Sequence, residues 1–255
     1  MPGSGAIRAV LFDYGHTLVD FGRTQEALMA AYTEIRDRIE AALYMEAPEV
    51  GHLIDRVANE VDRLVAESYT ERRMQELDLV EVFDQVLLSA LGLTVPPDVV
   101  RHVIALDHSA FSRSITVEPG ILDTLRKLRE RGLRLGLVSN VALLPDHMRA
   151  DLDALGIAEL LDASVFSSEV GTRKPDAAIF RTALERVGVG PQESVFVGDR
   201  LYDDIGGAQA TGMRTVQTRQ FRSEGEPEPV PDAVVDHLAD LPRVLESLDL
   251  PAAAG

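Results

Sequence analysis

The chain has 255 residues, of which 25 are Lys or Arg and 42 are Asp or Glu, giving a formal charge of −17 at pH 7. Such an acid excess disfavours a nucleic-acid backbone as partner, and 45% hydrophobic with 26% charged residues is the composition of a folded globular protein. Cysteine is absent, which excludes disulfides, thiol nucleophiles and thiolate metal sites and leaves carboxylates, hydroxyls, imidazoles and amines for any chemistry.

The first apolar run, Ile7 to Phe12, is short and rich in branched residues, and it stops at Asp13 with Gly15 just beyond. It reads as a buried strand with a polar exit. From Phe21 to about Ser112 the pattern changes to apolar residues at three- and four-residue spacing, which predicts an all-helical insertion of some four helices. An amphipathic segment from Glu118 follows, with Pro119 suited to a first helical turn and Gly132 to a helix stop. A second strand, Leu133 to Val138, exits at Ser139 and Asn140. Further along, a helix over Pro175 to Arg186 leads into a third strong strand, Ser194 to Val197, which runs into Gly198 and Asp199. Weaker strands are expected at 163–166, 214–218 and 233–235, and helices at 146–155, 203–211 and 238–248. The stretch 225–232 reads as a proline-rich loop, and 251–255 as a frayed tail.

Alternating strands and helices imply a parallel sheet, the α/β class. In such a sheet the strand ends that carry Asp13, Ser139 and Asp199 share one edge, where ligands bind. The expected organisation is a Rossmann-like core over residues 1–20 and 113–255, with a helical cap over residues 21–112. No run approaches the roughly 18 apolar residues of a membrane helix, and no basic leader opens the sequence. A cytoplasmic protein with no membrane partner is therefore expected.

The segments LFDYGHTL, LGLVSN, GTRKPD and FVGDRLYDDIGGAQATGM, in that order, resemble the four motifs of the haloacid dehalogenase (HAD) superfamily, and the insertion matches the place of its alpha-helical cap. The resemblance implies that Asp13 is a nucleophile attacking a phosphoryl group to form an aspartyl-phosphate. It further implies that Lys174 pairs with Asp13 and that Ser139, helped by Asn140, binds a phosphoryl oxygen. A carboxylate attacking a phosphate dianion needs a bridging cation, and Mg²⁺ is a hard ion that takes oxygen ligands. Asp13, the Gly15 carbonyl, Asp199 and Asp204 are the implied set. Lys174 is one of only two lysines; the other, Lys127, sits among arginines on an expected solvated helix face. Arg173 and Arg200 are expected on the surface, and Asp203 as a cap for the helix that follows it.

One position departs from the pattern. Phosphatases of the superfamily carry a second aspartate two residues after the nucleophile as general acid and base, and here that position is Gly15. Such help is worth about 10²–10⁴-fold. His16 next to it is one substitute. The expected function is a Mg²⁺-dependent phosphatase on a small phosphorylated metabolite. Two alternatives stay open: a 2-haloacid dehalogenase-type hydrolase, whose chemistry needs no such acid, and a HAD-like binding protein with little turnover. A Schiff-base mechanism through a cap lysine is closed, because the insertion contains no lysine.

Overall fold

The computed structural model describes residues 6–92, 94–224 and 228–249, and the chain divides into two units. The first, built from residues 6–20, 116–141 and 149–249, holds a six-stranded parallel sheet. Its strands are β1 (Ala9–Phe12), β2 (Arg134–Ser139), β3 (Ala163–Phe166), β4 (Ser194–Gly198), β5 (Arg214–Thr218) and β6 (Ala233–Val235), in the spatial order β3-β2-β1-β4-β5-β6. The class is therefore α/β, with a Rossmann-like core.

β1 and β4 are buried along their whole length, which explains why they read as unbroken apolar runs instead of an alternation. β1 lies centrally, paired with β2 on one side and β4 on the other, with Phe12 level with Leu137 and Val197. That register puts the residues just after Phe12, Val138 and Val197 side by side at one edge. The helix Ala177–Val187 covers the sheet through Ile179, Phe180, Ala183, Leu184 and Val187, packed with Leu11, Val138, Val165 and Phe196. Phe180 meets Phe196 edge to face, with ring centres 5.1 Å apart. This helix starts at Ala177, two residues later than expected, because the Asp176 carboxylate accepts from the Ala178 N–H and caps it. Gly188, at φ 74°, ends it in the left-handed conformation that favours glycine.

The chain leaves this unit at Asp20 and re-enters at Thr116, and these two residues exchange both backbone hydrogen bonds (3.0 and 2.9 Å). Residues 113–115 fall with the helical unit, not the α/β unit. They continue the end of the helix Pro97–Ser112 through bonds such as Ser114 N–H to Phe111 O (2.8 Å). Residues 142–148 likewise belong to the helical unit, whereas the expected boundary put them in the core. Their sequence has no helical-insertion signature; His147 is placed there by contacts such as its ring pairing with His108.

The helical unit spans residues 21–115 and 142–148. Its helices are Gln25–Leu43, Val50–Thr70 with a π-turn at Ile54–Ala58, Leu79–Leu91 and Pro97–Ser112. Thr24 and Asp78 cap the first and third through their side chains. The apolar face of Gln25–Leu43 (Leu28, Tyr32, Ile35, Ile39) packs with that of Pro97–Ser112 (Val99, Val100, Val103, Ile104). One polar cluster interrupts this interior. Arg23 pairs with Asp62, lies 3.9 Å from Asp107 and stacks over Phe111 at 4.7 Å. Burial pushes the Asp107 carboxyl up to about 6. Among the described residues no helix is long and apolar enough to cross a membrane. The proline-rich loop call falls partly, and the frayed-tail call wholly, outside the described residues.

Candidate active site

The sheet edge gathers side chains from four separate segments. Asp13 follows β1, and its N–H donates to Val197 O of β4 (2.9 Å), which fixes where the carboxylate emerges. Lys174 Nζ donates to Asp13 Oδ1 and to Asp204 Oδ1, both at 2.6 Å, in a side chain only 2% exposed. The ring of Phe196 lies 5.3 Å from that ammonium. The carboxylates of Asp13, Asp199 and Asp204 each offer an oxygen within 4.8 Å of the others, and all three residues are buried.

Local structure explains each placement. The other oxygen of Asp204 accepts from Arg200 N–H (3.0 Å), so this aspartate closes the turn that carries it while still reaching Lys174. Asp203 does not cap that segment, which starts without a side-chain cap. β4 ends in Gly198 because a Cβ there would fall inside the Asp204 carboxyl group. The Tyr14 N–H and, at 3.4 Å, the Thr17 hydroxyl also point at the Asp13 carboxylate.

The expected substrate contacts divide. Ser139 closes β2 and is buried, next to Asn140. Asn140 is spent on the backbone instead: Oδ1 accepts from Lys174 N–H (2.7 Å) and Nδ2 donates to Lys174 O (3.0 Å). It clamps the lysine's main chain on both sides, and the Lys174–Pro175 peptide it faces is cis. Gly15 sits half-buried in the turn after Asp13, bridged to Val19. His16 beside it takes φ 58°, left-handed backbone that is costly for a residue with a Cβ. Its Nδ1 lies 3.2 Å from Asp20 Oδ1. Burial and the nearby Arg222 hold its imidazolium below the usual histidine range, against the pull of Asp20. Arg200 is exposed as expected, but Arg173 is 2% exposed, a correction to the surface reading: its segment is folded into the sheet edge beside the buried Lys174.

Three acids around one ammonium are electrostatically unbalanced. Burial, then the Asp204 charge, push the Asp13 carboxyl up to about 6 against the opposing pull of Lys174. Burial and the other two acids push Asp199 up to about 7. Burial disfavours the Lys174 charge, yet Asp13 and Asp204 hold the ammonium above its ordinary range. Asp199 Oδ1 is a buried oxygen with no hydrogen-bond partner. A bare buried carboxylate oxygen in an acid-rich, all-oxygen cluster is the chemistry of a hard divalent cation site, so the residues fit Mg²⁺. The residue that sequence inspection missed is Arg222, which donates to Asp199 Oδ2 through Nε (2.7 Å) and Nη2. It lies 23 positions away in a loop without a motif.

A parallel α/β fold with a lysine-bridged acid cluster at the carboxyl edge of its sheet defines a class of hydrolase. The chain belongs to the haloacid dehalogenase-like hydrolases, whose family model matches residues 7–212. It is 33% identical over 239 residues to a glyceraldehyde 3-phosphate phosphatase of Methanopyrus kandleri, covering 94% of this chain and 95% of the relative. Among solved structures it is similar to a 2-haloacid dehalogenase of Pseudomonas syringae pv. Tomato (TM-score 0.65, 27% identity, 95% of this chain and 99% of that one). It is also similar to a HAD phosphatase of Thermococcus onnurineus (TM-score 0.58, 25% identity, 94% and 98%).

Proposed function

We propose that this hydrolase is a cytoplasmic, Mg²⁺-dependent phosphatase acting on a small phosphorylated metabolite, with Asp13 as nucleophile and the helical unit as the cap that selects substrate. The observation that carries it is the Asp13 carboxylate held by Lys174 within 4.8 Å of two further acids, one of them with a bare oxygen. The phosphatase name of a relative that this chain matches nearly end to end supports the substrate class.

In this reading an Asp13 oxygen forms a bond to phosphorus while the bond from phosphorus to the ester oxygen breaks, leaving an aspartyl-phosphate and an alkoxide. Lys174 neutralises Asp13 in the ground state and faces the transferring group, and Ser139 donates to a phosphoryl oxygen. Asn140 acts by holding the lysine's main chain. Water then attacks phosphorus and releases Asp13 and phosphate. Asp13, Asp199, Asp204 and the Gly15 carbonyl would hold the ion. When bound, Mg²⁺ offsets the repulsion between carboxylate and phosphate and polarises the phosphoryl oxygens.

The test is turnover of para-nitrophenyl phosphate, whose leaving group needs little acid help, in Mg²⁺ and in EDTA. Mg²⁺-dependent hydrolysis is expected; no turnover of any phosphate ester despite Mg²⁺ binding would favour the binding-protein reading. The likeness to a 2-haloacid dehalogenase and Gly15 favour a second reading, checked by adding haloacids to the panel. The unbalanced acid cluster, which halide displacement does not require, weighs against it.

Gly15→Asp is expected to raise kcat on alkyl phosphates, whose leaving oxygens need a proton, by about 10²-fold or more, and to change para-nitrophenyl phosphate turnover little. An equal effect on both substrates would refute a role in leaving-group protonation.

The raised acids also predict a pH-dependent metal effect. Asp13 and Asp199 bind protons in the folded state up to about pH 6 and 7, but in the unfolded chain only to the ordinary aspartate value of 3.8. The folded state therefore carries more protons between roughly pH 4 and 7, and these two groups lower stability as pH rises through that window. An ion that replaces those protons stabilises more once they are gone. The rise in Tm on adding Mg²⁺ should be larger at pH 7.5 than at pH 5, read by calorimetry; a larger rise at pH 5 would contradict the assignment.

A further inference from the structure

The chain just beyond β5 is tied to the Asp199 turn at several points. Gln217, buried in β5, donates to Asp199 O (3.4 Å) and Glu224 O (3.3 Å). Glu224 in turn accepts from Leu201 N–H (2.9 Å). Between them, Nε and Nη2 of Arg222 converge on the same oxygen, Asp199 Oδ2, while Oδ1 is left buried and without a partner. Among the described residues Arg222 makes no hydrogen bond to Asp13 or Asp204. A guanidinium that neutralised the cluster in place of a divalent cation would reach across it to several carboxylates. Arg222 instead grips one oxygen of one acid from the outer side, the arrangement that fixes a carboxylate's orientation and leaves its second oxygen for an ion.

We propose that Arg222 is a positioning residue: the segment 217–224 is a strap around Asp199 whose arginine orients that carboxylate for divalent-cation binding. The inference rests on the metal reading above. It also extends the site beyond the four motifs, into a loop that no motif covers.

Binding of Mg²⁺ to the full-length protein, followed by isothermal titration calorimetry and by the Mn²⁺ electron paramagnetic resonance signal, tests it without any turnover assay. Arg222→Ala is expected to raise the Kd for Mg²⁺ by about 10–100-fold. Arg222→Lys, which keeps the charge and one donor, should recover part of that loss. Arg219→Ala, which removes an exposed cation of the same loop, should leave the Kd within about twofold and so isolates geometry from charge. An unchanged Kd in Arg222→Ala overturns the proposal. A lower Kd also overturns it, and makes Arg222 a counter-cation that competes with the ion. Should Arg222→Ala fail to fold, the Lys variant decides: a Kd above that of the wild type with an altered Mn²⁺ spectrum supports orientation, and wild-type affinity refutes it. Absence of Mg²⁺ binding by the wild-type chain would sink the metal reading itself, a result distinct from wild-type binding that Arg222 does not affect.

Discussion

Asp13→Asn is expected to lower kcat for phosphate ester hydrolysis by on the order of 10⁴-fold or more, the scale seen when a covalent nucleophile is removed. An amide cannot form the acyl-phosphate, and no other carboxylate takes its place: Asp204 is committed to Lys174 and to Arg200 N–H, and Asp199 to Arg222. The fold should survive. The folded-state pKa of Asp13 lies above its unfolded value, so at pH 7.5 its ionised carboxyl is a cost to the native state that asparagine removes. In EDTA the variant's Tm should therefore match or exceed that of the parent. Steady-state kinetics and calorimetry on the same preparation check both halves. Activity retained within tenfold would mean that the nucleophile lies elsewhere; a collapse in Tm would mean that Asp13 holds the structure together.

Lys174→Met should cost both stability and activity. The ammonium is 2% exposed and bonds two buried carboxylates at 2.6 Å each. Removing it leaves Asp13 and Asp204 without their shared cation, and breaking a buried pair from one side costs about 3–5 kcal/mol. Proton uptake by the orphaned acids will blunt the loss at low pH. The expected result in EDTA is a free energy of unfolding, from denaturant titration, lower by that amount at neutral pH, with part of the loss recovered in Mg²⁺. Turnover should fall by on the order of 10³-fold even where the variant is folded, since in the proposed mechanism the charge that faces the transferring group is lost. Arginine is a poor substitute, because a planar fork cannot point one compact charge at two acids from a packed site. Unchanged stability in EDTA would show that the pairing is energetically empty.

Much of the core was legible from order and periodicity. Weak strands at 163–166, 214–218 and 233–235 match the observed spans residue for residue, and β1, β2 and β4 differ at their ends by one or two positions. For β1 and β4 the reason is local: a parallel strand buried on both faces is largely apolar, so its end is marked where polarity returns. Asp13, Ser139 and Asp199 follow from the same rule, because the point where an apolar run stops is the point where a parallel sheet presents its edge. Lys174 bonds both Asp13 and Asp204; the four-motif resemblance implied the first partner only, and no periodicity contains either.

What the sequence could not carry was set by contacts between distant segments. Asn140 is used by the Lys174 backbone 34 residues away, Arg173 is buried where its polarity suggests surface, and Arg222 grips Asp199 from a loop without a pattern. The buried Arg23, Asp62 and Asp107 cluster is of the same kind, as is the grouping of residues 142–148 with the helices. Backbone propensity and apolar spacing are properties of neighbours along the chain, and they settle which strands and helices form. Hydrogen-bond partnership and desolvation of a polar side chain depend on which segments meet in space, so only the folded chain decides them.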